Sequence, residues 1–191
     1  NGSSGSRATT RATVRGRSLH FARTLEDAAR AAVALARGKK PPRAAPVPRH
    51  ANSGRRVCGL FSGGTFCYEA ELLLAALEEL VDLGDDRYTR GRPHPMIDNR
   101  LRNGRIVAAA KDPAVAVVLL DVVLGHGAHP DPAAEMAPAL RAARKASRRV
   151  AFVASVCGTE ADPQGLTRQE AALRKEGVML APSNAAAARL A

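Results

Sequence analysis

Aromatic residues are scarce in this chain. They make up 3% of its 191 residues, and tryptophan is absent. Unpaired nucleic acid bases stack on aromatic side chains, so the sequence offers them few partners. The formal net charge of +11 is concentrated in residues 1–56, which hold 13 Lys and Arg against 2 Asp and Glu, whereas residues 57–191 hold 16 of each. We therefore expect no nucleic acid partner.

Long hydrophobic runs and paired cysteines are also lacking. No apolar stretch approaches the roughly 20 residues of a membrane-spanning helix, and the N-terminus has no signal-peptide core. The three cysteines, Cys58, Cys67 and Cys157, are odd in number and lack C-x-x-C spacing. This pattern predicts a cytoplasmic protein in a reducing compartment, with no membrane partner and no metal site.

Cys67 falls in the first turn of a predicted helix, which leaves two interpretations open. A helix dipole lowers the pKa of a thiol at that position and makes the thiol reactive. The other interpretation is a small buried hydrophobic residue, and we favour it.

The beginning of the chain is organised differently from the rest. Residues 1–23 are expected to be a disordered leader or a remnant of cloning. Apolar residues at helical spacing predict a helix over 24–36, with Thr24 as its N-cap and Gly38 ending it. Four prolines in residues 39–55 predict a semi-rigid linker. Residues 24–38 are then expected to be the tail of a preceding domain, which makes this chain a fragment of a longer protein.

The body over 56–191 alternates short apolar runs with helical patterns, as a parallel sheet covered on both faces does. We predict an α/β fold, a flavodoxin-like doubly wound parallel sheet of about five strands. The strands are expected at 57–61, 81–83, 115–121, 150–155 and 178–180. The helices are expected at 65–80, 95–110, 132–146, 163–176 and 183–190, the second interrupted at 103–104. Leu80 passes to Val81 without a turn residue, which suggests a shortened or missing segment.

Ligands of this fold bind at the carboxyl ends of the strands. The first turn at that edge, formed by Ser62, Gly63, Gly64 and Thr65, leads from an apolar strand into a helix. Two glycines let the backbone approach a ligand closely, and Thr65 is the expected N-cap. The first N–H groups of the helix favour a phosphate or a carboxylate. A capped turn without a ligand is the alternative.

The loop after the second predicted strand is dense in charge and has a proline on each side of His94. Two prolines fix the backbone around the imidazole, which suits contact with a ligand. Arg90 and Arg92 offer forked donors to phosphate or carboxylate, with Asp85 or Asp98 orienting them. A solvated loop is the alternative.

Gly125 and Gly127 flank His126 in a second glycine-rich turn. This turn predicts a second anion cradle in which His126 acts as an acid or a base. A metal triad with His129 and Asp131 is a less favoured alternative, because these residues lack a defined helical spacing.

A third turn contains Gly158 and Thr159 together with two carboxylates. Its simplest interpretation is helix capping, with Asp162 at the N-cap and Pro163 at the first helical position. Three such turns at one edge of a sheet form a polar rim around one crevice. The sequence therefore predicts a small-molecule site there.

The body resembles the carboxy-terminal domain of FdrA-type acyl-CoA synthetases, which are similar to the second domain of the succinyl-CoA synthetase alpha subunit. The likeness rests on SGGTFCYEA at 62–70, DLGDD at 82–86, GRPHPMID at 91–98, GHGAHPDP at 125–132 and GTEADPQ at 158–164. It implies acyl-CoA ligase chemistry, in which an acyl phosphate and a phosphohistidine relay a phosphoryl group. In the wider family, helix N-termini at two facing turns stabilise the phosphohistidine. The turns at 62–65 and 125–131 are similar in position.

One departure from the wider family opens alternatives. That family carries its phosphorylated histidine on a loop after the fourth strand, and residues 158–164 contain no histidine. His94, His126 or His129 would have to replace it. FdrA-type proteins are also linked with purine and allantoin catabolism as part of oxamate carbamoyltransferase, a reaction that needs anion cradles but no phosphohistidine. A non-catalytic interface domain of a multi-subunit complex is a third alternative.

The enzyme hypotheses assign a role to each candidate residue. His94 and His126 are the expected catalytic residues. The expected phosphate-binding or ligand-binding residues are Ser62, Gly63, Gly64, Thr65, Arg92, Gly125, Gly127, Gly158 and Thr159. The implied cofactor is CoA or a nucleotide, ADP or ATP with Mg. The implied partners are a phosphorylated or carboxylate small molecule, the preceding domain and a partner subunit, without which the site is incomplete.

Overall fold

A computed structural model describes residues 11–14, 17–44, 46, 55–74 and 79–191, and the chain divides into two compact units, residues 1–47 and 48–191. The first unit contains an antiparallel hairpin and one helix: β1 (Arg11–Val14), β2 (Arg17–His20) and α1 (Leu25–Ala36). Both strands of the hairpin fall within the predicted leader. Residues 1–10, 15 and 16 of the leader lie outside the described part of the chain, and its assignment stays a prediction.

Helix α1 begins and ends as the sequence predicts. The Thr24 hydroxyl accepts a hydrogen bond from the N–H of Asp27 at 3.1 Å, which makes Thr24 the N-cap. At the other end Gly38 has a positive φ of 67°. The N–H of Gly38 bonds to the Leu35 carbonyl and the N–H of Lys39 to the Ala34 carbonyl, a Schellman motif. Residues 39–44 and 46 of the expected linker form neither helix nor strand.

The second unit is built on a five-stranded parallel sheet, so the predicted fold class is confirmed. The spatial order is β4-β3-β5-β6-β7. This is the order of a flavodoxin-like sheet, in which the chain reverses its direction of travel between β3 and β5. The strands are β3 (Arg56–Phe61), β4 (Glu79–Asp82), β5 (Val115–Val123), β6 (Ala151–Cys157) and β7 (Met179–Ala181).

Six helices accompany these strands in the described residues of the second unit. Helix α4 packs beside α5 and α5 beside α6, whereas α2 packs beside α7. Right-handed crossovers on either side of the chain reversal require this division into two layers. The helices are α2 (Gly64–Glu71), α3 (Asp86–Thr89), α4 (Arg100–Lys111), α5 (Pro132–Ala146), α6 (Leu166–Lys175) and α7 (Asn184–Leu190). Among the described helices, none has the length and apolar character needed to cross a membrane.

Helix α2 is shorter than the predicted 65–80. It ends at Glu71 because the parallel register pairs Cys58 with Glu79, so the chain must already be extended by residue 79. A helix continuing to residue 80 would take Glu79 and Leu80, the first two of the four residues of β4. Residues 75–78 lie outside the described part of the chain, and the missing segment suggested beside them stays a prediction.

Helix α4 begins later than predicted and is not interrupted. Residues 95–98 form a turn instead, in which the His94 carbonyl accepts from the N–H groups of Ile97 and Asp98. The predicted break at 103–104 is wrong. The Asn103 side chain donates to the Glu135 carbonyl at 3.1 Å, which anchors this weak helix former to α5.

Helix α6 starts at Leu166, three residues after the predicted start, with Gly165 at its N-cap. Asp162 is therefore not the cap of this helix. Its carboxylate accepts from the Thr159 N–H at 2.6 Å and from the Thr159 hydroxyl at 3.1 Å. Those bonds close the preceding turn on itself, so the helix cannot begin before the turn has ended.

The core lies on both sides of β5. The side chains of Val118, Leu119, Leu120 and Val122 are fully buried between the two helical layers. One large cation, Arg102, is buried among them and only 2% exposed. Burial of an unpaired guanidinium destabilises the folded state. The partners of Arg102 lie at the carboxyl edge of the sheet.

Candidate functional site

The candidate site lies where β3 and β5 end side by side, at the point where the chain changes direction across the sheet. There the Ser62 N–H donates to Oδ1 of Asp121 at 2.8 Å. The Ser62 hydroxyl donates to Oδ2 of the same carboxylate. Ser62 is buried, with 1% of its surface exposed. The predicted ligand-binding role therefore does not fit the Ser62 side chain, which holds two strands together.

Arg102 pairs with Asp121 beneath this edge. Its Nη1 donates to the Asp121 backbone carbonyl at 2.7 Å and to Oδ1 at 3.1 Å. Burial lowers the pKa of Arg102, and the carboxylates of Asp121 and Glu135 act in the opposite direction. The pair fixes the end of β5, from which the glycine-rich turn departs.

A polar chain continues from this pair to a histidine at the surface. Nη2 of Arg102 donates to Oδ1 of Asn99, and Nδ2 of Asn99 donates to Oε2 of Glu135 at 2.6 Å. The same Oε2 lies 3.6 Å from Nε2 of His129. His129 is partly exposed, and its Nδ1 accepts from the Asp131 N–H at 3.0 Å. The chain of contacts thus orients one imidazole at the rim of the crevice.

The N-terminus of α2 opens at the same edge without a side-chain cap. Gly63 occupies the N-cap position, so the predicted cap at Thr65 is wrong, and Thr65 lies exposed in the first turn. A Cβ added at Gly63 would meet nothing within 4 Å. The first N–H groups of a helix without a cap favour an anion. Asp82 acts against this, because its Oδ2 would lie 3.1 Å from a Cβ at Gly64.

The turn after β5 faces open space. A Cβ added at Gly125 or Gly127 would meet no atom within 4 Å, and His126 between them is exposed. The amide of the buried Gln164 holds the turn from below: it donates to the Gly125 carbonyl at 2.8 Å and accepts from the Gly125 N–H at 3.1 Å. It also donates to the His129 carbonyl at 3.1 Å. The turn is therefore rigid at its base and accessible at its tip.

His94 belongs to the same edge. Its Nδ1 accepts from the Met96 N–H at 3.3 Å, and the Met96 carbonyl accepts from the His129 N–H at 2.8 Å. Its Nε2 lies against Gly84, where an added Cβ would come within 2.7 Å of it and of the Ser62 carbonyl. The structure therefore brings His94 and His129 together through backbone contacts, whereas His126 has no hydrogen-bond partner among the described residues.

Arg92 lines a cavity of about 460 Å³ beside the end of β4. No hydrogen bond or ion pair of its guanidinium is found in the part of the chain that the structure describes. Arg100, which lines the same cavity, is paired with Asp98 through contacts of 2.8 and 3.0 Å. The predicted donor for a ligand anion is thus available.

The third predicted turn is explained by packing. A Cβ at Gly158 would lie 2.6 Å from Cβ of Leu124, so this glycine permits the close approach of two loops. The Thr159 hydroxyl donates to Asp162 and accepts from the Ala161 N–H at 3.2 Å. Both residues lie at the expected edge, but the Thr159 hydroxyl bonds within the turn itself and Gly158 has no side chain.

Cys67 is not a reactive thiol of the helix N-terminus. It is 2% exposed, and burial, followed by the charge of Glu71, raises its pKa to about 12. Burial likewise raises the pKa of Cys58 to about 11. The interpretation as a small buried hydrophobic residue is the one that fits.

The sequence patterns do not predict the polar chain formed by Asn99, Arg102, Asp121, Glu135 and His129. One signal was present: Asp121 interrupts an apolar run, and a buried carboxylate needs a cation. Which of the many arginines pairs with Asp121 is visible only in the folded structure, where it is Arg102. Within the described residues, no group of three His, Cys, Asp or Glu side chains is arranged to hold a metal ion.

The chain was compared with known proteins in two ways. A family model described as CoA-ligase matches residues 60–191. The uncharacterized protein YahF of Escherichia coli (strain K12) is 34% identical over 158 aligned residues, which cover 67% of this chain and 30% of that protein. This chain therefore spans less than a third of the length of that relative.

Proposed function

Because the chain belongs to the CoA-ligase family, we propose that residues 56–191 are the carboxy-terminal domain of an FdrA-like acyl-CoA synthetase. In this role the domain holds a phosphorylated or acyl group at the carboxyl edge of its sheet. The observation that carries the proposal is the N-terminus of α2, which lacks a side-chain cap. It opens at the point of chain reversal, where ligands of this fold bind.

The proposed roles follow from position. The N–H groups of Gly64 and Thr65 hold phosphoryl oxygens, and the open turn around Gly125 and Gly127 approaches the ligand from the next strand. His94 and His126 remain the candidates for proton transfer. His129 joins them, because Glu135 lies near its Nε2 while a backbone N–H occupies its Nδ1.

A carbamoyltransferase subunit of the oxamate type is the second candidate. One observation favours it: residues 158–164, which follow β6, contain no histidine and close as a turn that is bonded to itself. A carbamoyl phosphate would still need the anion cradle of α2, but no histidine would have to carry a phosphoryl group. The two candidates therefore share a phosphate site and differ in the group transferred.

If the domain binds CoA or a nucleotide, Gly63, Gly64 and Thr65 would hold a phosphate group of that molecule. The nucleotide would supply the phosphoryl chemistry of the family and CoA its thiol, and the domain would bind and orient them. A preceding domain and a partner subunit are proposed to complete the site. The alignment with the E. coli relative covers 30% of that protein.

The test places a negative charge at the cradle. Thr65→Asp puts a carboxylate in the first turn of α2, where it repels a bound anion while it stabilises the helix. Thr65→Asn has nearly the same shape and no charge, so it is the matched control. Acetyl phosphate, carbamoyl phosphate, ADP and CoA are each titrated into the unaltered chain and both variants by calorimetry.

We expect acetyl phosphate or carbamoyl phosphate to bind the unaltered chain and the Thr65→Asn variant, and to lose affinity for Thr65→Asp. Binding of carbamoyl phosphate alone favours the carbamoyltransferase. Binding of ADP or CoA favours the synthetase. If no ligand binds, or if Thr65→Asp binds as well as Thr65→Asn, the cradle is wrong and a non-catalytic interface domain is the better account.

A further inference from the structure

The three histidines at the carboxyl edge differ in what their ring nitrogens contact. A neutral imidazole has one N–H donor and one acceptor nitrogen, so a contact that fixes one nitrogen also fixes the other. His126 is exposed and has no hydrogen-bond partner among the described residues. His129 is engaged at both nitrogens, because Nδ1 accepts from the Asp131 N–H and Nε2 lies 3.6 Å from Glu135. Within the same part of the chain, His94 is engaged at one nitrogen only.

The engaged nitrogen of His94 is Nδ1. It accepts a hydrogen bond from the Met96 N–H at 3.3 Å. An accepting nitrogen carries no proton, so the neutral ring carries its proton on Nε2. A proline on each side of His94 restricts the backbone of this turn. The contact with Met96 thus holds the ring as a hydrogen-bond donor at Nε2.

The Nε2–H group of His94 lies beside the beginning of α2. The point that a Cβ of Gly84 would occupy is 2.7 Å from Nε2 and 2.7 Å from the Ser62 carbonyl oxygen. Ser62 directly precedes Gly63, the N-cap of α2. Oδ1 of Asp82 lies 3.1 Å from the same point and accepts from the Gly84 N–H at 2.8 Å. The absence of a side chain at Gly84 therefore allows Nε2 to approach the phosphate cradle.

The neighbours of Nε2 decide which kind of oxygen it can hold. The Asp82 carboxylate is negative and the Ser62 carbonyl oxygen is partly negative, so both repel a charged phosphoryl oxygen at this point. A carbonyl oxygen of a ligand has no formal charge and accepts readily from a neutral N–H donor. Phosphoryl oxygens find better donors in the first turn of α2. An acyl phosphate contains both kinds of oxygen.

We propose that His94 holds the carbonyl oxygen of an acyl or carbamoyl phosphate through its Nε2–H group. The position of the phosphoryl group at α2 rests on the proposed function, whereas the tautomer of His94 does not. A ring in this form has no lone pair at Nε2, so His94 does not act as a base there. Its hydrogen bond polarises the carbonyl group and distinguishes an acyl phosphate from an alkyl phosphate.

The experiment compares acetyl phosphate with ethyl phosphate, which has a similar size and the same phosphoryl group but no carbonyl oxygen. Both are titrated by calorimetry into the full chain at about pH 8, where an unperturbed histidine is neutral. Imidazole ¹⁵N NMR signals report which ring nitrogen of His94 carries the proton, and the backbone amide signals of residues 63–66 report on the cradle.

Two variants at the same position separate hydrogen-bond donation from the mere presence of a side chain. His94→Gln places an amide N–H group near the position of Nε2, and this group cannot take up a proton. His94→Leu has no donor and is its matched control. Ethyl phosphate serves as the internal reference in each chain, because it uses the cradle without the histidine.

We expect the proton of His94 on Nε2, and a shift of this ring's signals with acetyl phosphate but not with ethyl phosphate. Acetyl phosphate should bind the unaltered chain about threefold to tenfold more tightly than ethyl phosphate, the difference expected for one neutral hydrogen bond. His94→Gln should keep most of this preference, and His94→Leu should lose it. Ethyl phosphate should bind all three chains alike.

The proposal is overturned if the proton of His94 lies on Nδ1, if the unaltered chain binds both compounds equally, or if His94→Gln loses the preference as His94→Leu does. In each of these cases ethyl phosphate still shifts residues 63–66, and the phosphate cradle stands. A failure of the proposed function gives a different result. Neither compound then binds, residues 63–66 stay unshifted, and the ligand assigned to His94 is wrong even where its proton lies on Nε2.

Discussion

Arg102 binds Asp121 twice in the interior of the second unit. Nη1 of the guanidinium donates to the Asp121 carbonyl at 2.7 Å and to its carboxylate at 3.1 Å, and neither side chain is more than 2% exposed. Ser62 donates to the same carboxylate from the end of β3. One buried ion pair thus joins α4 and the two strands at which the candidate site lies.

We predict that Arg102→Met destabilises the fold severely. The substitution leaves the Asp121 carboxylate buried without its cation, a change that costs about 3–5 kcal/mol. Arg100→Met is the matched control on the same helix. The Arg100 side chain is 82% exposed, and its ion pair with Asp98 is worth at most about 1 kcal/mol. Urea unfolding followed by circular dichroism measures both, and equal losses would contradict the assigned role of the pair.

Gly84 is predicted to tolerate no side chain. A Cβ there would lie 2.7 Å from the Ser62 carbonyl and from Nε2 of His94, and the backbone oxygen cannot move aside. Gly84→Ala should therefore cost about 1–3 kcal/mol of stability. Gly127→Ala, where a Cβ meets nothing within 4 Å, should change stability little. Thermal unfolding compares the two, and a stable Gly84→Ala variant would count against this close approach.

Asp82 is predicted to weaken anion binding at α2, because its carboxylate lies beside the first turn of that helix. Asp82→Asn removes the repulsion and keeps an oxygen that can accept from the Gly84 N–H, a bond of 2.8 Å. Acetyl phosphate should bind this variant about fivefold more tightly, as a charge interaction of roughly 1 kcal/mol requires. Calorimetric titration measures the change. Unchanged affinity would mean that the anion binds elsewhere.

Asp131 is predicted to make stability depend on pH. Burial alone would raise the pKa of Asp131, but hydrogen bonds from Gln169, the Ala134 N–H and Arg168 outweigh it, and the pKa is lowered. A carboxyl whose pKa is lowered by folding stabilises the protein above its unfolded pKa, near about 3.9. That contribution is lost as the pH falls through the lower, folded value. Asp131→Asn should therefore unfold more easily than the unaltered chain at pH 7, and the difference should shrink below about pH 4. A difference that stays constant with pH would rule out this linkage.

The three cysteines are predicted to differ in reactivity. Cys58 and Cys67 are 4% and 2% exposed, whereas Cys157 lies exposed at the end of β6. A thiol reacts as its thiolate, and burial raises the pKa of all three thiols, to about 11 for Cys58 and to about 12 for Cys67. The difference in rate therefore comes mainly from exposure. A disulfide reagent should modify one thiol rapidly in the native chain and all three after unfolding. Cys157→Ser should remove the rapid phase, and its persistence would show that a buried cysteine is reactive.

The elements that follow from local rules could be predicted from the sequence. Apolar runs separated by helical patterns located all five strands of the sheet, and their parallel pairing placed the three turns at one edge. Helix α5 begins and ends as predicted, because Asp131 caps it and Pro132 occupies its first position. Such signals act within one turn of the chain, so tertiary contacts do not override them.

The remaining features depend on contacts between distant residues. The end of α2 is set by the register of β4 against β3, which no local pattern encodes. The polar chain from Ser62 to His129 joins residues on four segments, and Arg102 is one arginine among many. The sequence indicated only that Asp121 needed a cation. It could not show that the Ser62 hydroxyl donates to Asp121, or that Gly158 allows its loop to pack closely against Leu124.

Phosphoryl binding at this edge is tested first by a titration of the chain with acetyl phosphate, followed residue by residue through the backbone amide NMR signals. We expect saturable shifts at residues 63–66 and 125–128, because both turns lie at the carboxyl ends of adjacent strands. The amides at the opposite edge of the sheet should not move. Shifts confined to that opposite edge, or the absence of any saturable shift, would contradict the proposal that this domain holds a phosphoryl group.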